Sequence, residues 1–131
     1  MPTILIIEDD TDLRRMLAKL LQREDFRVLE AGTGLEALQI LDYYIPDMVI
    51  TDIIMPDQDG IGTINELKKV YPEVKIIAIS GGGRMLSKDY LEIAKILGAH
   101  YTFSKPFDTR LFLEKVHELM NLQESGNNHP Q

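Results

Sequence analysis

The sequence predicts an α/β domain in which five parallel strands, in the order 2-1-3-4-5, form a doubly wound sheet flanked by five helices. The first reason is a set of five short apolar runs, Ile4–Ile7, Val28–Ala31, Met48–Ile50, Ile76–Ile79 and Tyr101–Phe103. The second is that segments with helical periodicity separate these runs, which is typical of βα units. The third is that acidic residues follow the first and third runs, where this strand order places its ligand crevice.

The first two helices are predicted from apolar stripes and capping residues. Thr11 is expected to cap a helix over Thr11–Asp25. Its inward-facing residues are expected to be Leu13, Met16, Leu17, Leu20 and Leu21. The capping-box sequence Thr33-Gly34-Leu35-Glu36 predicts the start of the second helix, which must end before Pro46. Three side chains of the second helix are expected to face the core, those of Leu35, Leu38 and Leu41.

The other three helices follow from the same kinds of pattern. A third helix is predicted over Gly62–Tyr71, and a fourth over Ser87–Leu97 with Gly98 just beyond its end. Asp108 is expected to cap the fifth helix. The apolar stripes of these three helices are Ile64, Leu67 and Tyr71, then Leu91, Ala94 and Leu97, then Leu111, Phe112, Val116 and Leu119.

Length and composition limit the classes of protein to which the chain can belong. The 131 residues have room for one domain, which we place at residues 1–122, with a flexible tail at 123–131. The absence of cysteine excludes disulfides and thiolate chemistry. The net charge of −7 disfavours binding to nucleic acid. The sequence lacks a membrane-spanning run and a signal peptide, so we expect a cytoplasmic protein that binds no membrane.

Carboxylates gather at the predicted crevice. Glu8 and Asp9 follow the first strand and Asp52 ends the third, so the three side chains are expected to lie close together. Because like charges repel, a hard divalent cation would satisfy them, and Mg²⁺ is the natural candidate. The alternative is that Glu8, Asp9 and Asp10 only cap the first helix and interact with its dipole.

Asp52, Lys105 and Ser80 are the candidate reactive residues. The loop from Asp52 to Gly60 is too long for a direct helix cap, which favours a reactive carboxylate that forms an aspartyl phosphate. Lys105 follows the fifth strand and precedes Pro106, which raises the chance of a cis bond, and it would supply a counter-charge for phosphoryl oxygens. Ser80 offers a hydroxyl at the same edge, unless it only shapes a turn.

Other candidate motifs fit less well. The run Gly81–Gly83 lacks the Gly-Lys-Ser/Thr sequence of a phosphate-binding loop. The stretch from Met55 half-matches a calcium loop, but its first ligand position is a methionine. The three histidines are isolated from one another, and we expect packing or solvent exposure for His100, His117 and His129.

Taken together, Glu8-Asp9, Asp52 within Thr-Asp-Ile-Ile-Met-Pro-Asp-Gln-Asp-Gly, Ser80 and Lys105-Pro106-Phe107 resemble the receiver domain of two-component response regulators. The resemblance covers about residues 3–122 and includes the chemotaxis-type single-domain members. It implies a flavodoxin-like fold and a regulatory domain, not an enzyme, that takes a phosphoryl group from a sensor kinase phosphohistidine onto Asp52. It also implies a cytoplasmic two-component or phosphorelay protein.

The resemblance also implies roles for the site residues. Glu8, Asp9, Asp52 and the backbone carbonyl of Ile54 would hold Mg²⁺, for which Mn²⁺ is a possible substitute. Lys105 and Ser80 would contact the phosphoryl group. The usual aromatic switch residue, three positions before the lysine, is replaced by Thr102, so the coupling of Ser80 to an aromatic is altered here. Tyr101 and Phe103 flank it on the other face of the strand.

The implied partners are a sensor histidine kinase or histidine phosphotransfer protein and a downstream protein target. Binding to that target, and dimerisation, would use the face formed by the fourth helix, the fifth strand and the fifth helix. A phosphorylation-independent interaction module is the alternative. An aspartyl-phosphate phosphatase would need a second acid at position 54, where the chain has Ile54.

Overall fold

The computed structural model describes residues 1–53, 60–80, 92, 94–96 and 98–128. Within them, five strands run parallel: β1 (Thr3–Ile7), β2 (Arg27–Ala31), β3 (Met48–Asp52), β4 (Lys75–Ser80) and β5 (Tyr101–Ser104). The strands pair in the order β2-β1-β3-β4-β5, which confirms the order predicted from the sequence. After β2 is added on one side of β1, the chain adds β3 on the other side, so the carboxyl ends of β1 and β3 border the predicted crevice.

Helices connect the strands and follow the last one. The structure has α1 at Thr11–Arg23, α2 at Gly34–Leu41, α3 at Gly60–Val70 and a C-terminal helix at Thr109–Asn128. Residues 94–96 are also helical, within the fourth predicted helix, most of which lies outside the described residues. The predicted doubly wound α/β fold is confirmed.

The core has two layers, one on each face of the sheet. Alternate residues of a strand point to opposite faces, so Ile4 and Ile6 pack in one layer and Leu5 and Ile7 in the other. The first layer is completed by α1 and the C-terminal helix, with Leu17, Leu21, Phe112 and Val116. The second layer is completed by α2 and α3, with Ala37, Leu41, Ile64 and Leu67. This burial fixes the strand register at the sheet edge that carries the polar residues.

Several local predictions hold. Thr33 caps α2, since its hydroxyl accepts a hydrogen bond from the Glu36 N–H at 3.1 Å. The Asp108 carboxylate accepts from the Arg110 N–H at 2.9 Å and so caps the C-terminal helix. Gly98 has a φ of +128°, a conformation that favours glycine. The Lys105–Pro106 bond is cis.

Other local predictions were wrong in the first two helices. Asp10, not Thr11, caps α1, because its carboxylate is the group that accepts from the Leu13 N–H, at 3.2 Å. Met16 and Leu35 were predicted to face inward but are exposed. Ala18 and Ala37 are buried beside the sheet instead, since small side chains let each helix approach it closely.

The last helix continues into the predicted tail. It includes residues 123–128, which the sequence assigned to the tail because they lack periodicity. A helix can continue on polar residues until a proline disfavours helical backbone at the preceding position, and Pro130 follows soon after Asn128. Residues 129–131 lie outside the described residues, and the flexibility of the tail stays a prediction.

Within the described residues, no helix has both the length and the apolar character needed to cross a membrane.

Candidate functional site

The polar residues predicted from the strand ends do gather at one edge of the sheet. Glu8 comes directly after β1, Asp52 is the last residue of β3, and Lys105 comes directly after β5. Glu8 and Asp52 are almost fully buried, with 1% and 3% of their surface exposed. Buried carboxylates are uncommon unless they are paired, so their partners define the site.

Lys105 bridges the two buried carboxylates. Its ammonium Nζ lies 2.7 Å from Glu8 Oε1 and 2.9 Å from Asp52 Oδ2. Burial by itself would lower the pKa of Lys105, but the contacts with Glu8 and Asp52 outweigh it and raise the pKa above its ordinary value. The ammonium therefore stays charged between the two acids.

Glu8 has an unusual environment for a carboxylate. Its Oε2 accepts a hydrogen bond from the Asp10 N–H at 3.1 Å, while Oε1 meets Lys105 as an ion pair without aligned hydrogen-bond geometry. Burial, together with the charge of Asp52, raises the pKa of Glu8 to about 7, against the opposing effects of Lys105 and the Asp10 N–H. One ammonium thus leaves the negative charge of the cluster only partly compensated.

The acidic cluster has the composition of a site for a hard cation. Glu8, Asp9 and Asp52 each offer a carboxylate oxygen, and these oxygens lie within 4.8 Å of one another. Asp9 is exposed and the other two are buried, so the cluster opens to solvent on one side. Three carboxylate oxygens that lie close together fit Mg²⁺, a hard cation that prefers oxygen ligands. The proposed fourth ligand, the Ile54 carbonyl, lies outside the described residues.

Ser80 and Thr102 lie on the neighbouring strands. Asp52 pairs with Ile79 of β4, so Ser80 is one position further along that strand and is fully buried. The Ser80 carbonyl accepts from the Lys105 N–H at 2.8 Å, which ties the lysine backbone to the end of β4. Thr102 pairs with Ala78, two positions before the end of β5. The register of the sheet thus puts Ser80 at the carboxyl edge and Thr102 two positions further from that edge.

The aromatic residues of β5 belong to the opposite layer from Thr102, as the strand alternation predicts. Phe103 packs against Phe107 and Phe112, with ring centroids 5.4 and 5.7 Å away. Tyr101 donates a hydrogen bond from its hydroxyl to Glu118 of the C-terminal helix. The fifth strand is therefore linked to the C-terminal helix through Tyr101.

The structure also divides the alternatives for the acidic run. Asp10 caps α1, as the helix-cap interpretation expected, whereas Glu8 contacts Lys105 and belongs to the cluster.

His100 is a packing residue, since its Nδ1 accepts from the Ile76 N–H at 3.1 Å. His117 contacts Glu24 at 2.7 Å, while His129, the Gly81–Gly83 run and residues 54–59 lie outside the described residues.

Arg14 is a site neighbour that sequence reasoning missed. The sequence pattern predicts no role for it. In the structure its Nη1 donates to the Glu8 carbonyl at 2.8 Å, and its Nε donates to Glu30 at 3.1 Å. The sequence carries no signal for this arrangement, since the Glu30 contact spans 16 positions and the Glu8 contact is made to backbone.

The chain is similar to known proteins over nearly its whole length. A family model described as the response regulator receiver domain matches residues 4–117. The sporulation initiation phosphotransferase F of Bacillus subtilis is 30% identical over 120 residues, which cover 92% of this chain and 94% of that protein. The chain spans about half or less of the length of several other curated relatives that it matches.

Solved structures agree with the sequence match. A CheY-like response regulator receiver domain protein from Methanospirillum hungatei JF-1 superposes with a TM-score of 0.86 at 27% identity, covering 96% of this chain and 98% of that one. The response regulator protein TrrA from Thermotoga maritima, solved in complex with Mg²⁺ and BeF, has a TM-score of 0.79 at 28% identity. It covers 91% of this chain and 99% of that one.

Receiver domains are regulatory domains that are phosphorylated on an aspartate in two-component signalling. They bind Mg²⁺ through an acidic cluster and interact with histidine kinases and phosphotransfer proteins, and some of them form dimers. The family match over residues 4–117 and the gathered acids agree with the resemblance seen in the sequence. The chain therefore belongs to the response regulator receiver domain family.

Proposed function

We propose that this chain is a signalling switch that accepts a phosphoryl group on Asp52 from the phosphohistidine of a sensor kinase or phosphotransfer protein. The observation that carries the proposal is the contact of Lys105 Nζ with Asp52 Oδ2 at 2.9 Å, beside the acidic cluster at the end of β3. A buried carboxylate held by a lysine at an open sheet edge suits attack on a phosphorus atom.

The transfer is an exchange of one bond to phosphorus for another. An Asp52 carboxylate oxygen forms the new bond to phosphorus as the bond from phosphorus to the histidine nitrogen breaks. The electron pair of that bond stays on the imidazole nitrogen of the donor, which then takes a proton from solvent. Asp52 needs to be ionised and aligned with the donor, and the end of β3 holds its backbone in place.

Lys105 stabilises charge on the transferred group. Its ammonium is already desolvated and positioned beside Asp52, so little reorganisation is needed when phosphoryl oxygens arrive. The backbone bond from the Lys105 N–H to the Ser80 carbonyl holds the lysine near the strand end. Ser80 would offer its hydroxyl to a phosphoryl oxygen and so take part in the switch.

Glu8, Asp9 and Asp52 would hold Mg²⁺, together with the Ile54 carbonyl, and Mn²⁺ is a possible substitute because it accepts the same oxygen ligands. When bound, the cation supplies charge neutralisation for the acids and for the equatorial phosphoryl oxygens. The buried Glu8 and the exposed Asp9 leave the solvent side of the cluster open for the phosphoryl group. The same residues would assist hydrolysis of the acyl phosphate, so the chain would help to reset its own signal.

The output would pass through the face of the fourth helix, β5 and the C-terminal helix. Ser80 ends β4, and Thr102 lies on β5 at the usual switch position. The Tyr101 hydroxyl bond to Glu118 connects β5 to the C-terminal helix, and Lys115 Nζ lies 4.8 Å from the centroid of the Tyr101 ring. A change at Ser80 that shifts β5 would therefore alter this face for a protein target or a second copy.

Intact-mass analysis tests the proposal. The protein is incubated with acetyl phosphate and Mg²⁺, beside Asp52→Asn and a sample without Mg²⁺. We expect one added phosphoryl group in the unmodified sample with Mg²⁺, and none in either control. An adduct that persists in Asp52→Asn would place the acceptor elsewhere. No adduct in any folded sample, with rapid hydrolysis excluded by early quenching, would favour a phosphorylation-independent interaction module.

A further inference from the structure

Arg14 connects three elements beneath the acidic cluster. It lies in the second turn of α1 with only 17% of its side chain exposed. Its Nη1 donates to the Glu8 carbonyl, just beyond β1, and its Nε donates to the carboxylate of Glu30 in β2. A partly buried guanidinium needs acceptors within the protein, and here a backbone carbonyl and a carboxylate supply them.

The peptide group that Arg14 contacts is the one that joins two candidate metal ligands. The Glu8 carbonyl is bonded to the nitrogen of Asp9, and the peptide unit between them is planar. Holding its oxygen therefore restricts the backbone dihedrals on both sides of the unit. Those dihedrals set the directions in which the Glu8 and Asp9 side chains leave the backbone.

This peptide lies beyond the paired residues of β1, which end at Ile7 against both β2 and β3. The paired register of β1 and β2 ends at Ile7 and Ala31, and the last bond across it runs from the Glu8 N–H to the Ala31 carbonyl at 3.0 Å. The Glu8 carbonyl comes after this last bond along the chain. Its oxygen accepts a hydrogen bond from Arg14 Nη1 at 2.8 Å, where a longer strand would supply a backbone N–H. The backbone at Gly32 leaves room for the guanidinium, since a Cβ there would lie 3.2 Å from Nη1.

We propose that Arg14, anchored on Glu30, is a positioning residue that orients Glu8 and Asp9 for the cation. The inference rests on the proposed function, because it assumes a Mg²⁺ site at these acids. Arginine suits the task because its rigid fork donates to two acceptors at once. The Glu30 carboxylate offsets the guanidinium charge, so the pair contributes orientation without a strong repulsion of the metal.

The neighbouring Arg15 is a matched control. Its Nε lies 4.0 Å from the same Glu30 oxygen, but 68% of its side chain is exposed. In the described part of the chain, the Arg15 side chain makes no hydrogen bond to Glu8. Replacing either arginine by glutamine removes one positive charge near Glu30, and only the Arg14 change removes the contact with the Glu8–Asp9 peptide.

The direction in which the Mg²⁺ Kd changes tells whether Arg14 acts by orienting the ligands or by its charge. Removing a positive charge near a cation site should tighten Mg²⁺ binding if Coulomb forces dominate. If Arg14 orients Glu8 and Asp9, its loss should weaken Mg²⁺ binding by about 10-fold, which is the lower end of the range for residues that orient metal ligands. We therefore expect the Mg²⁺ Kd to rise about 10-fold in Arg14→Gln and to change less than about 2-fold in Arg15→Gln.

Isothermal titration with MgCl₂ at pH 8 measures these constants directly, without a phosphoryl donor. Thermal unfolding in EDTA reports the stability of each variant separately. If Arg14→Gln does not fold, Arg14→Lys replaces it, since lysine keeps the positive charge and lacks the fork that donates to Glu30 and to the Glu8 carbonyl at once. We expect Arg14→Lys to weaken Mg²⁺ binding as well, although its charge is unchanged. An unchanged or tighter Kd in the folded variant would overturn the inference, even if its stability falls.

Failure of the inference is distinguishable from failure of the proposed function. If the unmodified protein binds Mg²⁺ and Asp9→Asn weakens that binding, the site stands. Equal Mg²⁺ Kd values for Arg14→Gln and Arg15→Gln would then show that Arg14 does not position the ligands, and the proposed function would be unaffected. If the unmodified protein binds no Mg²⁺, both the metal site and the inference fall.

Discussion

At the scale of the residue, Lys105 has the greatest influence on the charge balance of the site. It lies between two carboxylates that are 1% and 3% exposed, and its own side chain is 21% exposed. Removing one partner of a buried ion pair leaves an uncompensated charge, so the site depends on this lysine before any ligand is bound. The same ammonium is the group placed to meet the phosphoryl oxygens.

We therefore expect Lys105→Met to slow phosphorylation by acetyl phosphate about 100-fold, the cost typical of removing one preorganised charge-stabilising group. Mg²⁺ binding should persist or tighten, because a competing cation is gone. Rapid-quench kinetics with saturating Mg²⁺ measures the rate. Lys19→Met, at an exposed position of α1, is the control and should react like the unmodified protein. An unchanged rate in Lys105→Met would exclude a role for Lys105 in the transfer.

Asp25 gives a second prediction at this scale. It joins α1 to β2 with a φ of +67°, a left-handed conformation that is costly for most residues and tolerated by Asn and Asp. We expect Asp25→Ala to lower the free energy of unfolding by about 1 kcal/mol, and Asp25→Asn to leave it nearly unchanged. Urea unfolding measures both variants. Equal losses in the two would mean that the carboxylate, and not the backbone conformation, matters.

At the scale of the element, the connection between β4 and β5 contributes to the way stability responds to pH. His100 lies just before β5, and its Nδ1 accepts from the Ile76 N–H at 3.1 Å, which ties β4 to β5. Burial, together with the charges of Lys68 and Lys75, lowers the pKa of His100 below its ordinary value of 6.5. The neutral ring is therefore the form that the folded protein favours.

The sign of the resulting pH dependence follows directly. A histidine with a lowered pKa in the folded state contributes stability above its unfolded pKa of 6.5, and this contribution is lost as the pH falls through the folded pKa. In His100→Asn, the amide oxygen can accept from Ile76 but does not titrate. Its stability should therefore fall less between about pH 6.5 and 5 in urea unfolding. A fall as steep as that of the unmodified protein would assign the dependence to other groups.

At the scale of the whole molecule, metal binding and folding are coupled through the acidic cluster. The ligands come from β1 and β3, which meet only in the folded sheet, so Mg²⁺ should bind the folded state preferentially. Burial, together with the charge of Asp52, raises the pKa of Glu8 to about 7, so a bound cation would favour the ionised form of this carboxylate.

We expect Mg²⁺ at 100 times its Kd to raise the free energy of unfolding by about 2.7 kcal/mol at pH 8, where Glu8 is largely ionised. Asp9→Asn should abolish most of this increase, because it removes the exposed ligand without opening the core. Asp12→Asn makes the same change of charge on α1 and should keep the increase. Thermal unfolding with and without MgCl₂ measures all three proteins. An equal increase in Asp9→Asn would show that the cation binds elsewhere.

The strands were predictable because each contains a short apolar run, and helices on both sides of the sheet bury both faces of the central strands β1, β3 and β4. The predictions that were wrong concern choices between neighbours. Asp10 and Thr11 are both good helix caps, and only the backbone conformation decides that Asp10 reaches the Leu13 N–H. Leu35 falls within the predicted stripe of α2, yet the position of this helix on the sheet leaves it exposed.

The sequence by itself determined the fold, the strand order and the edge at which Glu8, Asp52 and Lys105 meet, because local patterns and strand ends carry that information. Only the tertiary structure decided the contacts among them. Lys105 and Asp52 are 53 positions apart, and their distance depends on the register of β3, β4 and β5. The Arg14 bond to the Glu8 carbonyl likewise depends on how α1 packs beside β1, because a backbone acceptor leaves no trace in the pattern of side chains.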